Sequence, residues 1–594
     1  MRTYITLLFM TLTTMLLGQV IYDDYIGAGH SEGIVVTTSS NFLDATGIKT
    51  LDGSGMDVQL YKASRFLAQA TLGADKDLIN YVKEIGIETW IEQQFDVDPS
   101  YLTPLMESIW TQRLQFRIDN GEDPNEVFGP WALDFNYAWW QNNMTNNDLL
   151  RHRVAYALSQ LFVVSIFSDL RDNAYALTDY YDILVRNSFG NYRDLLMDVT
   201  MHISMGYYLS HLNNPRSNPE ENQRPDENYA REIMQLFSIG LNELNIDGTP
   251  KLQDGEVIPT YDNDDIKEFA KVFTGLGPGA INENVDWTDT PYFGLGIWGA
   301  DPTVPMRMYP EFHEPGEKKL LNGYVIPADQ YALNDIEDAV DHLFNHSNVG
   351  PFVATRLIQR LVKSNPSPQY VQRVAEAFNG TNGAPRGDMQ NVIKAILLDP
   401  EARDDSYILE DETSKLREPI LRYVQLCRSI PLDAPLGTYW NNGYDAIDEL
   451  KQHPLASPTV FNFFLPDYAP VGEISNTGLV APEFKIHNTA TSINYINKVN
   501  QWLIWWAVMY SWEGDYGDLP VFADLSDFEE MAESPDVFIN EMDLIFSHGQ
   551  LTDDTRKIIR DAMSGITWGS EYKADRAKLG LYLLLISPDY NLMK

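Results

Sequence analysis

Over most of this chain apolar residues recur every three to four positions, and most of the runs stop at a glycine, a proline or an Asn/Asp cluster. Leu60, Ala63, Phe66, Leu67 and Ala70 form the first stripe, closed by Gly73 as a C-cap residue. Lys76 to Ile85 predicts a second helix, ending at Gly86, and ETWIEQQF a third. Trp131 to Trp140 reads as an aromatic helix. In NNDLLRHRVAYALSQLFVVS the stripe is Leu150, Val154, Ala157, Leu158 and Leu161, with His152, Tyr156 and Ser159 as a polar stripe beside it. DYYDILVRNSFGNYRDLLMDVTMHISMGYYL predicts two helices broken at Gly190. Ile266, Phe269, Ala270 and Phe273 line one face of the helix that follows Asp262. GLVAPEFKIHNTATSINYINKVNQWLIWWAVMYSW is expected to be one long helix, and the chain ends in a helix and a tail. The alternation fails at NELNIDGTPKLQDGEVIPTY, where Asp247-Gly248 and Asp254-Gly255 predict a β-hairpin. The expected fold class is mainly α, a large multi-helical globular domain with a small β-hairpin insertion.

The first residues depart from this pattern. Met1-Arg2 precedes YITLLFMTLTTMLLG, which is too short for a membrane span and reads as a secretory signal peptide over residues 1–18. Residues 19–56 are rich in Gly, Ser, Thr and Asp and read as an exposed lead-in. Residues 57–594 are then one large helical domain. The expected localisation is periplasmic or secreted, with no membrane span after signal cleavage.

Charge narrows the function classes. The chain carries 43 basic and 85 acidic residues, a net charge of −42, so nucleic acid is an excluded partner. A single cysteine, Cys427, rules out an intramolecular disulfide, and its apolar helical setting argues for an inert thiol. There is no G-x-S-x-G, P-loop, H-E-x-x-H or C-x-x-C motif and no G-x-G-x-x-G after a predicted strand, so the common hydrolase, NTPase, zincin and dinucleotide-binding readings lack support.

Candidate chemistry concentrates between His202 and Gly275. His202 and His211 are nine residues apart and share a site only if the chain turns between them. On PDENYAREIMQLFSIG, Asn228, Arg231, Glu232 and Gln235 lie on one face, where an amide, a guanidinium and a carboxylate suit a polar ligand or a cation. Asp262 and Asp265 cap the next helix, which leaves Asp264 and Asn263 for other work. Glu243, Asn245, Asp247, Gly248 and Asp254 fall on calcium-loop positions, but Pro250 interrupts the loop. His313 and Lys318, on the Pro315-Gly316 turn, suit an acid/base and an anion anchor.

Several of these segments occur in one order. ASRFLAQATLGADKDLINYVKEIGIETWIEQQF contains Arg65, Phe66, Leu67, Ala70, Thr71, Gly73, Trp90, Gln93 or Gln94, and Phe95. RHRVAYALSQLFVVS, the Asn228-Tyr-Ala-Arg-Glu segment, the run from Tyr261 to Gly275, and His313-Glu314-Pro-Gly316-Glu-Lys318 follow. In this the chain resembles the bacterial family DUF1800 from about Ser64 to its end. It departs from the family pattern at Asp226, where the family often has Asn, which keeps an oxygen ligand and adds a charge. The resemblance implies no reaction.

The expected site assigns catalytic roles to Glu232, His313, Arg231, Lys318 and His152, ligand contacts to His211, Asn213, Asn228 and Gln235, and cation binding to Asp226 and Asp264. Three readings stay open: an exported hydrolase with a polar, cation-dependent pocket (calcium being the type of ion), a non-catalytic periplasmic binding or scaffold protein, and a calcium-stabilised structural protein. The partner is an unidentified small molecule or exported protein.

Overall fold

The computed structural model describes residues 57–594 except residues 125, 284–287, 382, 410–413, 506 and 515–516. The expected signal peptide and lead-in therefore lie outside the described residues. Helices dominate. The longest are Val58–Ala70, Leu102–Asp119, Ala132–Thr145, Ala174–Asn187, Ala332–Phe344, Val349–Leu361, Asp553–Gly565 and Tyr572–Ile586. The strands are short antiparallel pairs, plus one three-stranded sheet. No helix among the described residues is long and apolar enough to cross a membrane.

The sequence signals account for many boundaries. Asp57, Asp75 and Asn173 accept backbone N–H groups at helix starts, as short polar side chains do where the first turn has unpaired donors. Asp262 and Asp265 form the capping box read from the sequence. The predicted hairpin pairs Leu252 with Val257 and Gln253 with Glu256. Its turn residues Asp254 and Gly255 have φ of 53° and 88°, the left-handed pair that an Asp-Gly dipeptide tolerates.

The long helix expected over 478–512 does not form. Its helical part is Thr489–Asn500, capped by Asn488, followed by a wide turn over Gln501–Trp505. Met509–Trp512 is a strand paired with Asp518–Ala523. The apolar run reads equally well as strand, because both its faces are packed and no period distinguishes the two. The C-terminal tail also pairs, with Leu592 opposite Leu416 and Met593 opposite Lys415.

Most buried apolar side chains form one cluster that runs from Ala63 to Tyr590, with a smaller one around Met106, Ile109, Tyr137 and Trp440. Trp139, Trp140, Tyr180, Tyr181 and Tyr192 are fully buried in the larger cluster. Burial of so many aromatics supplies much of the driving force. Close packing also forces small residues at crossings. Gly240 has φ 72°, and a Cβ there would meet the Phe352 ring at 3.0 Å. That contact seats the end of one site-forming segment on helix Val349–Leu361.

Candidate functional site

The stretch expected to form the site is buried only in part, and its histidines serve the interior. The chain does turn after His202, which caps helix Ile203–Tyr208 through Nδ1 and faces Asp179 through Nε2 at 3.1 Å. His211 instead stacks on Tyr229 at 3.8 Å and donates from Nε2 to Thr200 O at 2.9 Å. Burial drives its pKa down to about 4, so it is neutral. The two histidines do not share a site. Asn213 uses both ends of its carboxamide: Oδ1 accepts from Gly294 N and Nδ2 donates to Leu295 O.

His313 and Lys318 form a closed trio with Asp335. Thr274 Oγ1 donates to Lys271 O at 2.6 Å, so His313 Nδ1, 2.8 Å from Thr274 O, must be the donor there. His313 Nε2 faces Asp335 Oδ2 at 3.0 Å. Lys318 Nζ donates to Glu314 O, Gly316 O and Asp335 Oδ2. An ammonium has three N–H groups, and these three acceptors use all of them. Lys318 has no donor left for a ligand. Burial raises the Asp335 carboxyl, but the bonds from His313 and Lys318 outweigh it and hold it below the ordinary range. The turn is therefore tied from inside.

His152 and Asp148 are buried beside the half-buried Ser100. Its Nε2 lies 3.0 Å from both Ser100 Oγ and Ser100 O, and 3.4 Å from Asp148 Oδ2. The same ring nitrogen faces the hydroxyl and the carboxylate. A catalytic triad needs opposite nitrogens for those roles. Ser100 Oγ also donates to Asp148 Oδ1 at 2.6 Å, so this group secures the start of helix Leu149–Ser159.

The proposed cation ligands are also engaged locally. Asp226 is exposed and accepts from Asn228 N at 2.8 Å. Asp264 is not free, as the sequence suggested, but pairs with Lys267 at 2.7 Å. Glu243, in the calcium-loop register, pairs with Lys251 at 3.0 Å. Among the described residues no group of three or more His, Cys, Asp or Glu side chains converges as a metal-ligand set. Asn228 is exposed, and Arg231 makes a surface pair with Glu227 at 3.4 Å. Cys427 is buried, and burial pushes its thiol pKa far up, as befits an inert side chain.

Two of the predicted residues stand apart. Glu232 is 4 % exposed, and its Oε2 is buried without a hydrogen-bond partner. Burial raises its pKa to about 6, with Arg231 opposing. Gln235, one turn further on, accepts from Tyr261 at 3.0 Å and lines a cavity of about 270 Å³.

That cavity lies between helix Val349–Leu361, the chain from Gln235 to Leu244, the end of the His152 helix at Gln160 and Leu161, and the loop 460–467. Its borders are fixed by carboxamides. Asn348 accepts from Leu244 N and donates to Ile239 O and Asn242 O, at 2.8 to 3.0 Å. Gln359 donates to Ser364 O and Pro466 O at 3.1 and 3.2 Å. Such bonds hold both rims before any ligand arrives.

The wall carries two cations one helical turn apart. Arg356 lies over the Phe352 ring at 5.0 Å and Arg360 over Phe464 at 4.6 Å. Neither guanidinium makes an ion pair with a carboxylate among the described residues. Arg356 reaches Gln359 Oε1 at 3.4 Å; Asp467, also on the wall, acts on it only at longer range. Burial and the like charge of Arg360 depress Arg356 to a pKa of about 10, so it remains charged at neutral pH.

Beneath this wall is a buried ionic network centred on Glu418. Its carboxylate accepts from Tyr156 at 2.9 Å, and from Gln160 and Gln452 at 2.5 Å. Lys415 lies 3.4 Å from Glu418 and 3.2 Å from Glu483, and donates to Gln359 O and Arg360 O. Arg153 donates to Arg360 O at 2.7 Å. Burial raises Glu418, but Lys415, Arg360 and Arg153 outweigh it and hold the carboxyl below its usual range. Because Glu418 only accepts, Gln160 must turn its NH₂ toward it. Gln160 Oε1 is then left buried and unpartnered.

Sequence reading placed the polar stripe of helix Leu149–Ser159 at His152, Tyr156 and Ser159. The stripe that meets the ionic network below the cavity is Arg153, Tyr156 and Gln160. A signal was present for Arg356 and Arg360, since two arginines four apart in FVATRLIQRLV interrupt an otherwise apolar helix. Nothing in the sequence pointed to Asn462 or Glu418.

The sequence model of one family, described as a protein of unknown function (DUF1800), matches residues 65–592. No curated protein and no solved structure matches the chain.

Proposed function

The chain belongs to the DUF1800 family, and from that premise we propose that it is an exported protein that binds a small organic anion in the cavity beside Arg356 and Arg360. One observation carries this reading: two adjacent guanidiniums line a cavity and make no ion pair with a carboxylate among the described residues, Glu418 and Asp467 acting on them only at longer range, in a protein with net charge −42. Unpaired cations in a low-dielectric recess favour an incoming anion. Export rests on the apolar run after Met1-Arg2, and a mature N-terminus near Gln19 in the envelope or medium fraction checks it.

Calorimetric titration of the purified protein with carboxylates and with inorganic phosphate tests the binding. At least one should bind. The double substitution Arg356→Met, Arg360→Met should weaken that binding about 100-fold or more, since a charge-assisted hydrogen bond contributes roughly 1.5–3 kcal/mol. No binding of any anion, or equal binding by the double variant, removes the proposal.

A hydrolytic activity has one observation in its favour. Glu232 is a buried carboxyl with an unpartnered oxygen and a pKa of about 6, suited to proton transfer near neutrality. The same group makes a prediction about stability. Its folded pKa lies above its unfolded value of 4.5, so the folded state binds more protons between these values. Stability should fall as pH rises from about 4.5 through about 6 and then level off, by about 2 kcal/mol. Glu232→Gln should remove this step, leaving pH 4.5 stability unchanged and raising it at pH 7.5. Urea unfolding at the two pH values measures both, and an unaltered step would show that another group carries it.

A further inference from the structure

The cavity wall offers more than positive charge. Resting on the anion-binding reading above, we infer that the cavity is built for an amide-bearing carboxylate, the shared chemistry of a peptide C-terminus and an N-acyl amino acid. Three features lead there. Arg356 and Arg360 supply fixed donors for a carboxylate. Gln160 is 4 % exposed, lines the cavity and has an Oε1 without a donor; its orientation is imposed by Glu418, so it presents an acceptor and cannot flip to present NH₂. Asn462 is 6 % exposed, sits at φ 63° on the loop, lines the same cavity and has a buried Nδ2 without an acceptor.

A ligand that satisfies all three must bring an anion, an N–H and a C=O. A secondary amide next to a carboxylate brings them on adjacent atoms. The amide N–H meets Gln160 Oε1, the acyl oxygen takes the carboxamide of Asn462 or the NH₂ of Gln235, and the carboxylate meets the arginines. The side chain then rests on Leu236, Ile239, Leu241 and Leu465. Inorganic phosphate fits worse. Its oxygens chiefly accept, so Gln160 Oε1 would face another acceptor, and the apolar wall would have no partner.

Calorimetry on the full chain with four probes tests this. N-acetyl-L-leucine should bind. N-acetyl-L-leucinamide, which lacks the charge, should bind about 100-fold more weakly. 4-Methylpentanoate, which lacks the amide, should bind about 10-fold more weakly, the worth of one or two neutral hydrogen bonds. Ala-Ala-Ala-Leu separates the sources: binding at least equal to that of N-acetyl-L-leucine assigns the cavity to peptide C-termini, and weaker binding assigns it to acylated amino acids. Gln160→Met should erase the preference for N-acetyl-L-leucine over 4-methylpentanoate while both still bind. If 4-methylpentanoate equals N-acetyl-L-leucine on the unaltered protein, the amide inference is overturned and the anion reading stands. If phosphate binds and none of the carboxylates does, the amide inference falls alone. If no anion binds, both fall. The panel on the unaltered protein decides the matter even if Gln160→Met fails to fold.

Discussion

Replacing Glu418 by alanine should cost about 3–5 kcal/mol, because removing one member of a buried ionic network strands the others. Glu418 is fully buried, and so is Lys415 beside it. Without the carboxylate, Lys415 and Arg153 keep only backbone oxygens and Glu483, and the donors of Tyr156, Gln160 and Gln452 lose their acceptor. Desolvated charge without compensation outweighs any gain from relief of crowding. The urea midpoint, followed by tryptophan fluorescence, should fall sharply, or the variant should fail to accumulate as folded protein. Glu418→Gln should lose less, since it keeps an acceptor oxygen while giving up the charge. A Glu418→Ala midpoint equal to that of the unaltered chain would mean that the network is not under electrostatic load. The variant should also lose the preference for N-acetyl-L-leucine over 4-methylpentanoate, because Gln160 would no longer be held in its orientation.

An effect of similar size is expected at Asp335. It is 1 % exposed and is, among the described residues, the only carboxylate in contact with Lys318, itself 1 % exposed. Asp335→Ala leaves that ammonium and His313 buried without their anion, a loss again of about 3–5 kcal/mol. The unaltered protein carries a matching acid signature. Asp335 has a folded pKa below its unfolded value of 3.8. Its contribution is therefore complete above about pH 4 and is lost as pH falls through the lower folded value. Asp335→Ala should flatten the acid limb of the stability profile. An unchanged acid limb would assign that loss to other carboxyls. Since Lys318 spends all three protons on internal acceptors, Asp335→Ala should not alter which anion the cavity prefers.

The two trios that looked catalytic explain why a site is harder to read than a fold. His313 and Lys318, and equally His152 with Asp148, have the residue types of acid/base chemistry. In each case the neighbours that decide their role are backbone oxygens: Thr274 O, Glu314 O and Gly316 O for one trio, Ser100 O for the other. Every residue has such an oxygen, so a sequence carries no mark of which ones are close. Gln160 and Asn462 show the converse. Their residue types are ordinary, and they became candidates only because a cavity leaves one atom of each without a partner.

Helix identity, most helix starts, the Asp254-Gly255 hairpin and the family were legible in the residues themselves. They depend on interactions over a few positions: apolar spacing, a capping carboxylate, a dipeptide that tolerates positive φ. The strand at Met509–Trp512 was not legible, because a run apolar on both faces has no period until its partner strand is known. The cavity belongs wholly to the tertiary structure. Its walls come from residues 160, 235–244, 352–360 and 460–467, and the ion network below it joins Arg153 to Lys415, Glu418 and Glu483. Burial and charge compensation at that range depend on which surfaces the packed core brings together, and local pattern has no access to that.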